Sequence, residues 1–575
     1  MQRRAPVPRP TVTRPRVRPP TITAVRPPVV ATVANRVGHQ RLQPDLEVEP
    51  IELPDDELEK TVDSYPMDDA ADPDEEVDEL EYNQDLYTEI VPRDYQRDHI
   101  ETLMEILGKQ HGYIDTSIPG AGKTYVTGYI AQRYGWPMLI ISSNTIINTV
   151  WKPFCAMHQL PVYDILSYQQ ARGSKDKQPK HPYLERVDDG KNVSFFATDT
   201  WIEIVNQGVL LVIDEIQHLK NNSAQHKACS AMIKTILDIG GVSRFALLSG
   251  SPYDQEKHVK NLLHMLGYIR SDKLYRRVNR TTYLEGINEL IVSCRSIDPF
   301  MTHKTLVLCP PDSKENIVTL SHKLFVDVIK PCIVNAMPNP TNIVGRLDAS
   351  SGFFDLGLQE RMDITANVEA LARALKYNDD NDEVEDVNTT AGQGYLRKIA
   401  VCKVPIFVRM ARKWLEEDPT CKVVIFNRYH TPISRIATEL KQYKPLVLTG
   451  KTKPANRLGI INTFEHSDDH RLILLTTAVG SEGISLHDTR GDRPRKVLML
   501  PDFSILDLHQ AAKRCYRDGT MSDVELYMVY AKAAAKERNI INALARKTGV
   551  LRDILDQQVR DGVLFPGEYP TYTEQ

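Results

Sequence analysis

Cysteine, long apolar runs and an apolar leader are scarce or missing in this chain of 575 residues. The eight Cys are scattered and none forms a CxxC pair, so neither a zinc ribbon nor a dithiol redox motif is predicted. No apolar stretch approaches the roughly 18 residues that span a bilayer, and the first residues are rich in Arg and Pro. We therefore expect a soluble intracellular protein without membrane contact.

Charge is unevenly distributed, although the formal net charge is only −5. Residues 1–44 contain nine Arg, nine Pro and neither Lys nor acid, whereas residues 45–89 contain twenty acids and one Lys. Both compositions oppose a packed core, so residues 1–89 are predicted to be a disordered tail. The basic part is a phosphate-binding or nuclear-import segment, or simply a solvated tail. These segments carry +9 and −19, which leaves +5 and a mildly basic character for residues 90–575.

From Pro92 onward, short apolar runs alternate with helical patterns, for example at 95–108 and 431–443. The apolar runs are 138–143, 209–215, 245–250, 422–427, 446–450, 472–477 and 497–502. Such short, uniformly apolar runs are typical of parallel strands that are buried on both faces.

The runs fall into two blocks, so the chain is predicted to be α/β with two parallel-sheet lobes. The predicted lobes are 90–255 and 400–560. A largely helical or irregular insertion is predicted at 256–399, and a C-terminal tail at 561–575.

The segment SIPGAGKT, Ser117 to Thr124, has the pattern of a phosphate-binding loop. It lies between a predicted strand and a predicted helix, so its amides and the helix N-terminus can bind a triphosphate. Lys123 is expected to reach the β- and γ-phosphates and Thr124 to ligate Mg²⁺. Ser117 stands where the usual pattern has Gly. The predicted ATP-binding residues of the loop are Ser117, Ile118, Pro119, Gly120, Ala121, Gly122, Lys123 and Thr124.

Two acids end the apolar strand in LLVIDEIQH, Leu210 to His218. The carboxyl edge of a parallel sheet is where ligands bind. Asp214 is therefore predicted to hold Mg²⁺ and Glu215 to orient and deprotonate the attacking water. A solvent-facing pair of acids is the ordinary alternative, but the preceding phosphate loop favours the catalytic interpretation.

A phosphate loop and two acids fit an AAA+ machine, a kinase or a transporter ATPase equally well. The second half distinguishes them, because HQAAKRCYRDGT (509–520) is predicted to be helical with Arg514 and Arg517 on one face. Two such guanidiniums can act as arginine fingers on a γ-phosphate across a cleft, although a surface basic stripe is the common alternative. Gly480 and Gly483 fit a tight loop close to phosphate or ATP.

The order of these segments resembles the superfamily 2 helicases. RDYQ (93–96) is similar to the adenine-reading motif, with Gln96 on the base, and LSGSP (248–252) to the coupling motif. The other similar segments are SIPGAGKT, IISSNTIINTVW (140–151), DEIQ (214–217), KVVIFNRY (422–429), TTAVGSEGISL (476–486) and QAAKRCYRDGT. Within the superfamily, the chain most resembles SWI/SNF-type remodeller ATPases and nucleoside-triphosphatases of large DNA viruses. Thr520 replaces their final Gln, and 256–399 matches no accessory domain.

The resemblance implies an ATP-dependent helicase or translocase that hydrolyses ATP with Mg²⁺ between two RecA-like lobes. Gln96, the phosphate loop, Asp214 and Gly483 would bind ATP, while Lys123, Glu215, Arg514 and Arg517 would perform catalysis. Nucleic acid would be bound through phosphates, with DNA favoured and RNA as the alternative. Trp151 or Tyr429 would stack on bases, or belong to the core.

A degenerate scaffold is the third hypothesis, and it predicts the loss of Lys123, Glu215 or Arg517, all of which are present. Protein partners would use the N-terminal tail or 256–399. A nucleus and a viral replication site both fit.

Overall fold

The computed structural model describes residues 89–173, 181–188, 192–278, 281–338, 343–376, 390–481, 484–501, 504–532, 538–555 and 571–573. Nearly all of the predicted tail 1–89 therefore lies outside the described residues, as does most of 561–575. No helix within the described ranges is both long and apolar enough to cross a membrane.

The strands, in chain order, are β1 (Gly112–Asp115), β2 (Met138–Ser142), β3 (Val162–Ser167), β4 (Leu184–Asp188), β5 (Val193–Ala197), β6 (Leu210–Asp214), β7 (Arg244–Leu248), β8 (Arg276–Val278), β9 (Thr281–Tyr283), β10 (Val334–Asn335), β11 (Leu347–Phe354), β12 (Lys422–Asn427), β13 (Leu446–Leu448), β14 (Leu472–Thr476), β15 (Arg495–Met499), β16 (Val524–Ala531) and β17 (Thr571–Thr573). The apolar runs of the sequence are all found among them, which confirms the predicted strands.

The α-helices, in chain order, are α1 (Asp94–Lys109), α2 (Lys123–Tyr134), α3 (Asn144–Ile146), α4 (Lys152–Met157), α5 (Tyr168–Arg172), α6 (Asp199–Gln207), α7 (Ala224–Ile239), α8 (Val259–Met265), α9 (Glu285–Ile297), α10 (Pro299–Leu308), α11 (Lys314–Leu324), α12 (Lys330–Ile333), α13 (Leu358–Lys376), α14 (Thr390–Cys402), α15 (Val404–Glu417), α16 (His430–Glu439), α17 (Pro454–His466), α18 (Thr477–Ser481), α19 (Ile505–Cys515) and α20 (Arg538–Ile554). Single π-helical turns join α3 to α4 (Ile147–Trp151) and α11 to α12 (Phe325–Ile329).

The first lobe is built on a six-stranded, all-parallel sheet in the order β10-β1-β7-β6-β2-β3. Its central strand β6 is buried on both faces. Leu210 and Val212 belong to the core on one side, and Leu211 and Ile213 to the core on the other. This alternation explains why the strand is uniformly apolar in sequence, as parallel sheets covered by helices require.

The second lobe is built on a seven-stranded, all-parallel sheet in the order β13-β14-β12-β15-β16-β11-β17. The apolar residues of its central strands β12, β14 and β15 are buried, and they share one contiguous core with the α1–α2 side of the first lobe. Two parallel-sheet α/β lobes, as predicted from the sequence, are therefore confirmed.

Residues 256–399, predicted as a helical insertion, contribute to both lobes. The helices α8 to α12 pack on the first lobe, where Val259, Leu290 and Phe325 join its second core. Strand β10 is an edge of the first sheet, whereas β11 lies inside the second sheet. The short β10 and the small, polar residues of β11 (LDASSGFF) explain why no strand was predicted there. Similarly, β17 belongs to the second sheet although 561–575 was predicted to be a tail.

Candidate nucleotide site between the two sheets

The phosphate loop lies where β1 passes into α2. Gly120 and Gly122 have φ angles of +86° and +95°, a left-handed region in which a side chain is strained. The second of them directly precedes Lys123, the first residue of α2. The helix N-terminus and the loop amides thus meet at one place, which is the arrangement that binds phosphate.

Lys123 and Thr124, the predicted phosphate and Mg²⁺ residues, are both half-buried at the start of α2. The Nζ of Lys123 donates to the carbonyl oxygens of Ser117 at 2.9 Å and of Ile118 at 3.4 Å. The ammonium group is therefore held over the first turn of the loop. On the other side of this turn Pro119 packs against Gly250, and a Cβ built on Gly250 would lie 2.9 Å from Cδ of Pro119.

Ser117, at the place usually occupied by Gly, anchors the loop inside the protein. Its backbone N donates to Oδ1 of Asp115 at 2.9 Å and its hydroxyl donates to the same oxygen. The hydroxyl also accepts a 2.8 Å hydrogen bond from the N of Met337, just beyond β10. His99 contacts the other carboxylate oxygen of Asp115 at 3.1 Å. Burial acts to raise the pKa of Asp115, but His99, Lys123 and the Ser117 hydrogen bond together lower it.

Gln96 lies in the first turn of α1 and contacts the phosphate loop. Its Oε1 accepts a hydrogen bond from the N of Arg93 at 2.9 Å, which caps the helix. Its Nε2 donates to the carbonyl oxygen of Ala121 at 3.1 Å, and the hydroxyl of Tyr95 donates to the same oxygen at 3.1 Å. The segment RDYQ (93–96) thus lies beside the phosphate loop. The contact of Gln96 with an adenine base stays a prediction.

Asp214 and Glu215, the two acids of the segment LLVIDEIQH, lie at the C-terminal end of strand β6. Asp214 is buried, and its Oδ2 accepts a 2.9 Å hydrogen bond from Nε1 of Trp151. Burial, and then the neighbouring Glu215, raise the pKa of Asp214 to about 7, which Trp151 and Lys123 partly oppose. Glu215 has a φ of +62°, which turns the chain out of the sheet.

A series of hydrogen bonds runs from Glu215 into the second lobe. The Nε2 of Gln217 donates to Oε2 of Glu215 at 2.6 Å, and the Oγ of Ser249 donates to Oε1 of Gln217 at 2.6 Å. The N of Ser251 donates to Oγ of Ser249 at 3.0 Å. Finally, Nε2 of Gln510, on α19 of the second lobe, donates to Oγ of Ser251 at 3.4 Å.

The two predicted arginine fingers are not on one helix. Arg514 is in the last turn of α19 and is buried, but the helix ends at Cys515. Arg517 lies in the following turn, where Gly519 has a φ of +85° and Thr520 hydrogen-bonds back to Arg517. The predicted shared helical face is therefore wrong, because a turn interrupts the helix.

Arg517 nevertheless faces the phosphate loop across the cleft. A Cβ built on Gly120 would lie 2.5 Å from Nη2 of Arg517, so the guanidinium covers the glycine directly. The Nη1 of Arg517 donates to Oγ of Ser485 at 2.8 Å. Burial, and then the nearby Arg514, lower the pKa of Arg517 to about 10, so Arg517 stays charged at neutral pH. Groups from both lobes thus converge on one loop.

Four remaining predictions have different outcomes. Gly483 lies outside the described residues. Gly480 is part of the helix α18, where a Cβ would meet the ring of Phe426 at 2.4 Å, so the predicted loop is wrong at that position. Trp151 is fully buried against Asp214 and belongs to the core. The hydroxyl of Tyr429 donates to Gln393 at 3.2 Å, and its stacking on bases stays a prediction.

Three residues that shape the site were not predicted from the sequence. The hydroxyl of Tyr95 donates to the carbonyl oxygen of Ala121 in the loop, Asp115 accepts hydrogen bonds from Ser117, and His99 contacts Asp115. The spacing of Tyr95 and His99, four apart on one helical face, was the only local signal for such a role.

The oxygen ligands fit a Mg²⁺ ion. Asp214 offers a buried carboxylate at the edge of the sheet and Thr124 a hydroxyl on the facing helix, and such hard oxygens are what Mg²⁺ prefers. The raised pKa of Asp214 also indicates a carboxylate that a divalent cation would stabilise in its ionised form. Among the described residues, no three His, Cys, Asp or Glu side chains are grouped so that they could hold a metal ion by themselves.

Comparison with known proteins gives one family and several relatives. Residues 406–519 match the helicase conserved C-terminal domain. The chain is 22% identical over 477 residues to "Putative ATP-dependent RNA helicase L364" of Acanthamoeba polyphaga mimivirus, covering 80% of this chain and 83% of that protein.

Two further similarities concern SWI/SNF-type proteins. A Caenorhabditis elegans homologue of the SWI/SNF-related regulator of chromatin subfamily A containing DEAD/H box 1 is 22% identical over 544 residues, covering 82% of this chain. The match spans only about half of that protein, 52%. The Sulfolobus solfataricus SWI2/SNF2 ATPase core in complex with dsDNA shows 14% identity and a TM-score of 0.28, covering 84% of this chain and 99% of that one. The sequence similarities agree with the order of the motifs, and the chain is similar to ATPases of the superfamily 2 helicase type, including SWI/SNF-type proteins.

Proposed function

We propose that this protein is a DNA-directed translocase that hydrolyses Mg²⁺-ATP in the cleft between its two lobes. The observation that carries the proposal is the position of Arg517, whose guanidinium from the second lobe covers Gly120 in the phosphate loop of the first. A positive group that reaches the phosphate site from another domain is what stabilises transition-state charge in this class of reaction.

The first lobe binds the triphosphate in this proposal. The amides of Gly120 to Lys123 and the N-terminus of α2 surround the phosphates, and Lys123 exchanges its carbonyl partners for β- and γ-oxygens. Gln96, which is bonded to Ala121, places α1 where the base would lie. When bound, Mg²⁺ neutralises charge on the β- and γ-phosphates, and Thr124 and Asp214 would hold it.

Hydrolysis requires groups from both lobes. Glu215 orients the attacking water and takes its proton, and its carboxylate is itself held by Gln217 at 2.6 Å. Arg517 and Arg514 stabilise the charge that develops on the γ-phosphate. Arg514 is buried and Arg517 is half-buried, so solvent screens their field only partly.

Lobe movement links the ATP site to nucleic acid. The series from Glu215 through Gln217, Ser249 and Ser251 to Gln510 connects the catalytic acid to the second lobe, so nucleotide state can bias lobe closure. Nucleic acid would lie across both lobes and be held mainly through phosphates. Binding would then be independent of sequence and would weaken with salt.

DNA is favoured over RNA because LSGSP and QAAKRCYRDGT resemble the SWI/SNF-type motifs, and because the worm relative of that type is similar across both lobes. The RNA alternative has its own support, since the mimivirus relative is named as a putative ATP-dependent RNA helicase. The site of action would be a nucleus or a viral replication site.

Steady-state ATP hydrolysis with single-stranded DNA, duplex DNA or RNA as activator tests this proposal. DNA is expected to raise kcat several-fold and RNA to leave it unchanged, with Lys123→Ala as the inactive control. Stimulation by RNA alone would establish the RNA-directed alternative. No hydrolysis above the Lys123→Ala background under any condition would refute the proposed function.

A further inference from the structure

A charged pair crosses between the lobes beside the nucleotide site, next to Arg517. The Nη1 of Arg93 contacts Oδ2 of Asp518 directly, as a hydrogen-bonded ion pair. Arg93 is the residue immediately before α1, and Asp518 immediately follows Arg517. The acid side chain is only 12% exposed, whereas the arginine is 57% exposed. The pair thus lies at the edge of the cleft.

On the first lobe, Arg93 is attached to the phosphate loop by short contacts. Its backbone N donates to Oε1 of Gln96 at 2.9 Å, and Nε2 of Gln96 donates to the carbonyl oxygen of Ala121 at 3.1 Å. Tyr95 donates to the same carbonyl at 3.1 Å. Any displacement of Arg93 is therefore transmitted to the loop that binds phosphate.

On the second lobe, Asp518 is part of the turn that carries Arg517. The N of Arg517 donates to Oγ1 of Thr520 at 3.0 Å, and the N of Thr520 donates to the carbonyl oxygen of Arg517 at 3.0 Å. Ser485 holds the guanidinium at 2.8 Å. The hydrogen bonds between Arg517 and Thr520 hold the turn in one conformation. A contact that holds Asp518 in place therefore also holds Arg517 in place.

The charges around this turn explain why an acid is useful there. Burial, and then repulsion by Arg514, lower the pKa of Arg517, while the charge of Asp518 acts in the opposite direction. Burial also acts to lower the pKa of Arg93, but the hydrogen bond and charge of Asp518 together with the contacts of Tyr95 outweigh it, so the pKa is raised. The carboxylate thus stabilises cations from both lobes. Its Oδ1 is buried and accepts no hydrogen bond within the described part of the chain.

We propose that Arg93 and Asp518 form an interlobe latch that positions Arg517 over the phosphate loop. Both are positioning residues, since the geometry gives neither of them a contact with the reacting phosphate. The effect of this ion pair on the rate of ATP hydrolysis rests on the proposed function. Its role in holding the two lobes together does not.

The test is a double-mutant cycle of Arg93→Ala, Asp518→Ala and the combined variant, with two measurements. In ATP hydrolysis, each single change is expected to lower kcat about 5- to 10-fold while the ATP dissociation constant stays within about 2-fold. The combined variant should lose less than about 2-fold more kcat than either single variant, because the first substitution already removes the ion pair. Arg93→Lys, which keeps the charge, should recover most of kcat.

Hydrogen exchange of the nucleotide-free protein gives the second measurement. Arg93→Ala is expected to speed amide exchange both in 117–122 and in 516–521, since local opening exposes both segments. Arg270→Ala is the matched control, because Arg270 forms an exposed ion pair with Glu289 inside the first lobe at 3.5 Å. It should change neither segment.

Unchanged exchange in both segments, or multiplicative losses of kcat in the double variant, would overturn the latch. If the wild-type chain hydrolysed no ATP, the proposed function would fail, and the exchange data would still decide whether the pair closes the lobes.

Discussion

Gly120 and Arg517 fit together because the first has no side chain. A Cβ on Gly120 would lie 2.5 Å from Nη2 of Arg517 and 2.7 Å from its Cζ, which is well inside van der Waals contact. The same glycine has a φ of +86°. The residue that shapes the phosphate loop therefore also determines how closely the second lobe can approach it.

Gly120→Ala is expected to lower kcat at least about 10-fold, because the methyl group pushes Arg517 away from the loop. Gly135→Ala is a matched control, since Gly135 also has a left-handed φ of +69° but has no atom within 4 Å of a built Cβ. The control should lose about 1 kcal/mol of stability through backbone strain and keep its turnover. Equal turnover of Gly120→Ala and the control would contradict the close approach of the two lobes.

Lys123→Ala and Glu215→Gln are expected to abolish ATP hydrolysis without unfolding the chain. The first removes the cation that is proposed to reach the β- and γ-phosphates, and the second removes the proposed base while keeping an oxygen that Gln217 can contact. Both side chains are half-buried and polar, so their loss leaves the apolar cores intact. Turnover in the presence of nucleic acid and the circular dichroism spectrum are the measurements. Full activity of either variant would refute the assigned roles.

Lys513, on α19, is expected to make the stability of the protein depend on pH. Burial lowers the pKa of Lys513 to about 8, well below its value in an unfolded chain. At pH 7 both states are protonated and the folded state bears the cost of a buried charge. Above about pH 8 the folded state loses the proton while the unfolded state keeps it up to about pH 10, so stability rises with pH across this window.

Lys513→Met should therefore be more stable than the wild type at pH 7, by about 2–3 kcal/mol. The advantage should shrink as the pH approaches about 10, and thermal unfolding at several pH values measures it. Lys413→Met, at an exposed position of the same lobe, controls for the loss of one positive charge. A Lys513→Met variant that melts below the wild type at pH 7 would contradict the buried-charge interpretation.

The strands and the phosphate loop could be predicted from sequence because their signals are local. Leu210 to Ile213 are apolar and all buried, as is typical of a parallel strand that is covered on both faces. The helix at 95–108 was equally visible, since Ile100, Leu103 and Leu107 form its buried face. Gly120 and Gly122 mark the loop through their left-handed φ angles.

The rest depends on contacts between distant parts of the chain. Strand β11 contains Ala349, Ser350 and Ser351, and only its pairing with β16 and β17 makes it a strand. The end of α19 before Arg517 depends on Gly519 and Thr520 closing a turn, which helical spacing alone does not reveal. The ion pairs and hydrogen bonds between the lobes likewise have no pattern in the sequence.

The rate of ATP hydrolysis by Arg517→Ala, measured beside its ATP affinity, tests the central claim most directly. Since Lys123 and the loop amides of the first lobe remain, ATP should bind within about 3-fold of the wild type. In the proposed mechanism Arg517 stabilises charge in the transition state, so its loss should lower kcat about 10³-fold or more. A variant with normal kcat would show that the second lobe supplies no catalytic charge, and the two-lobe mechanism would be wrong.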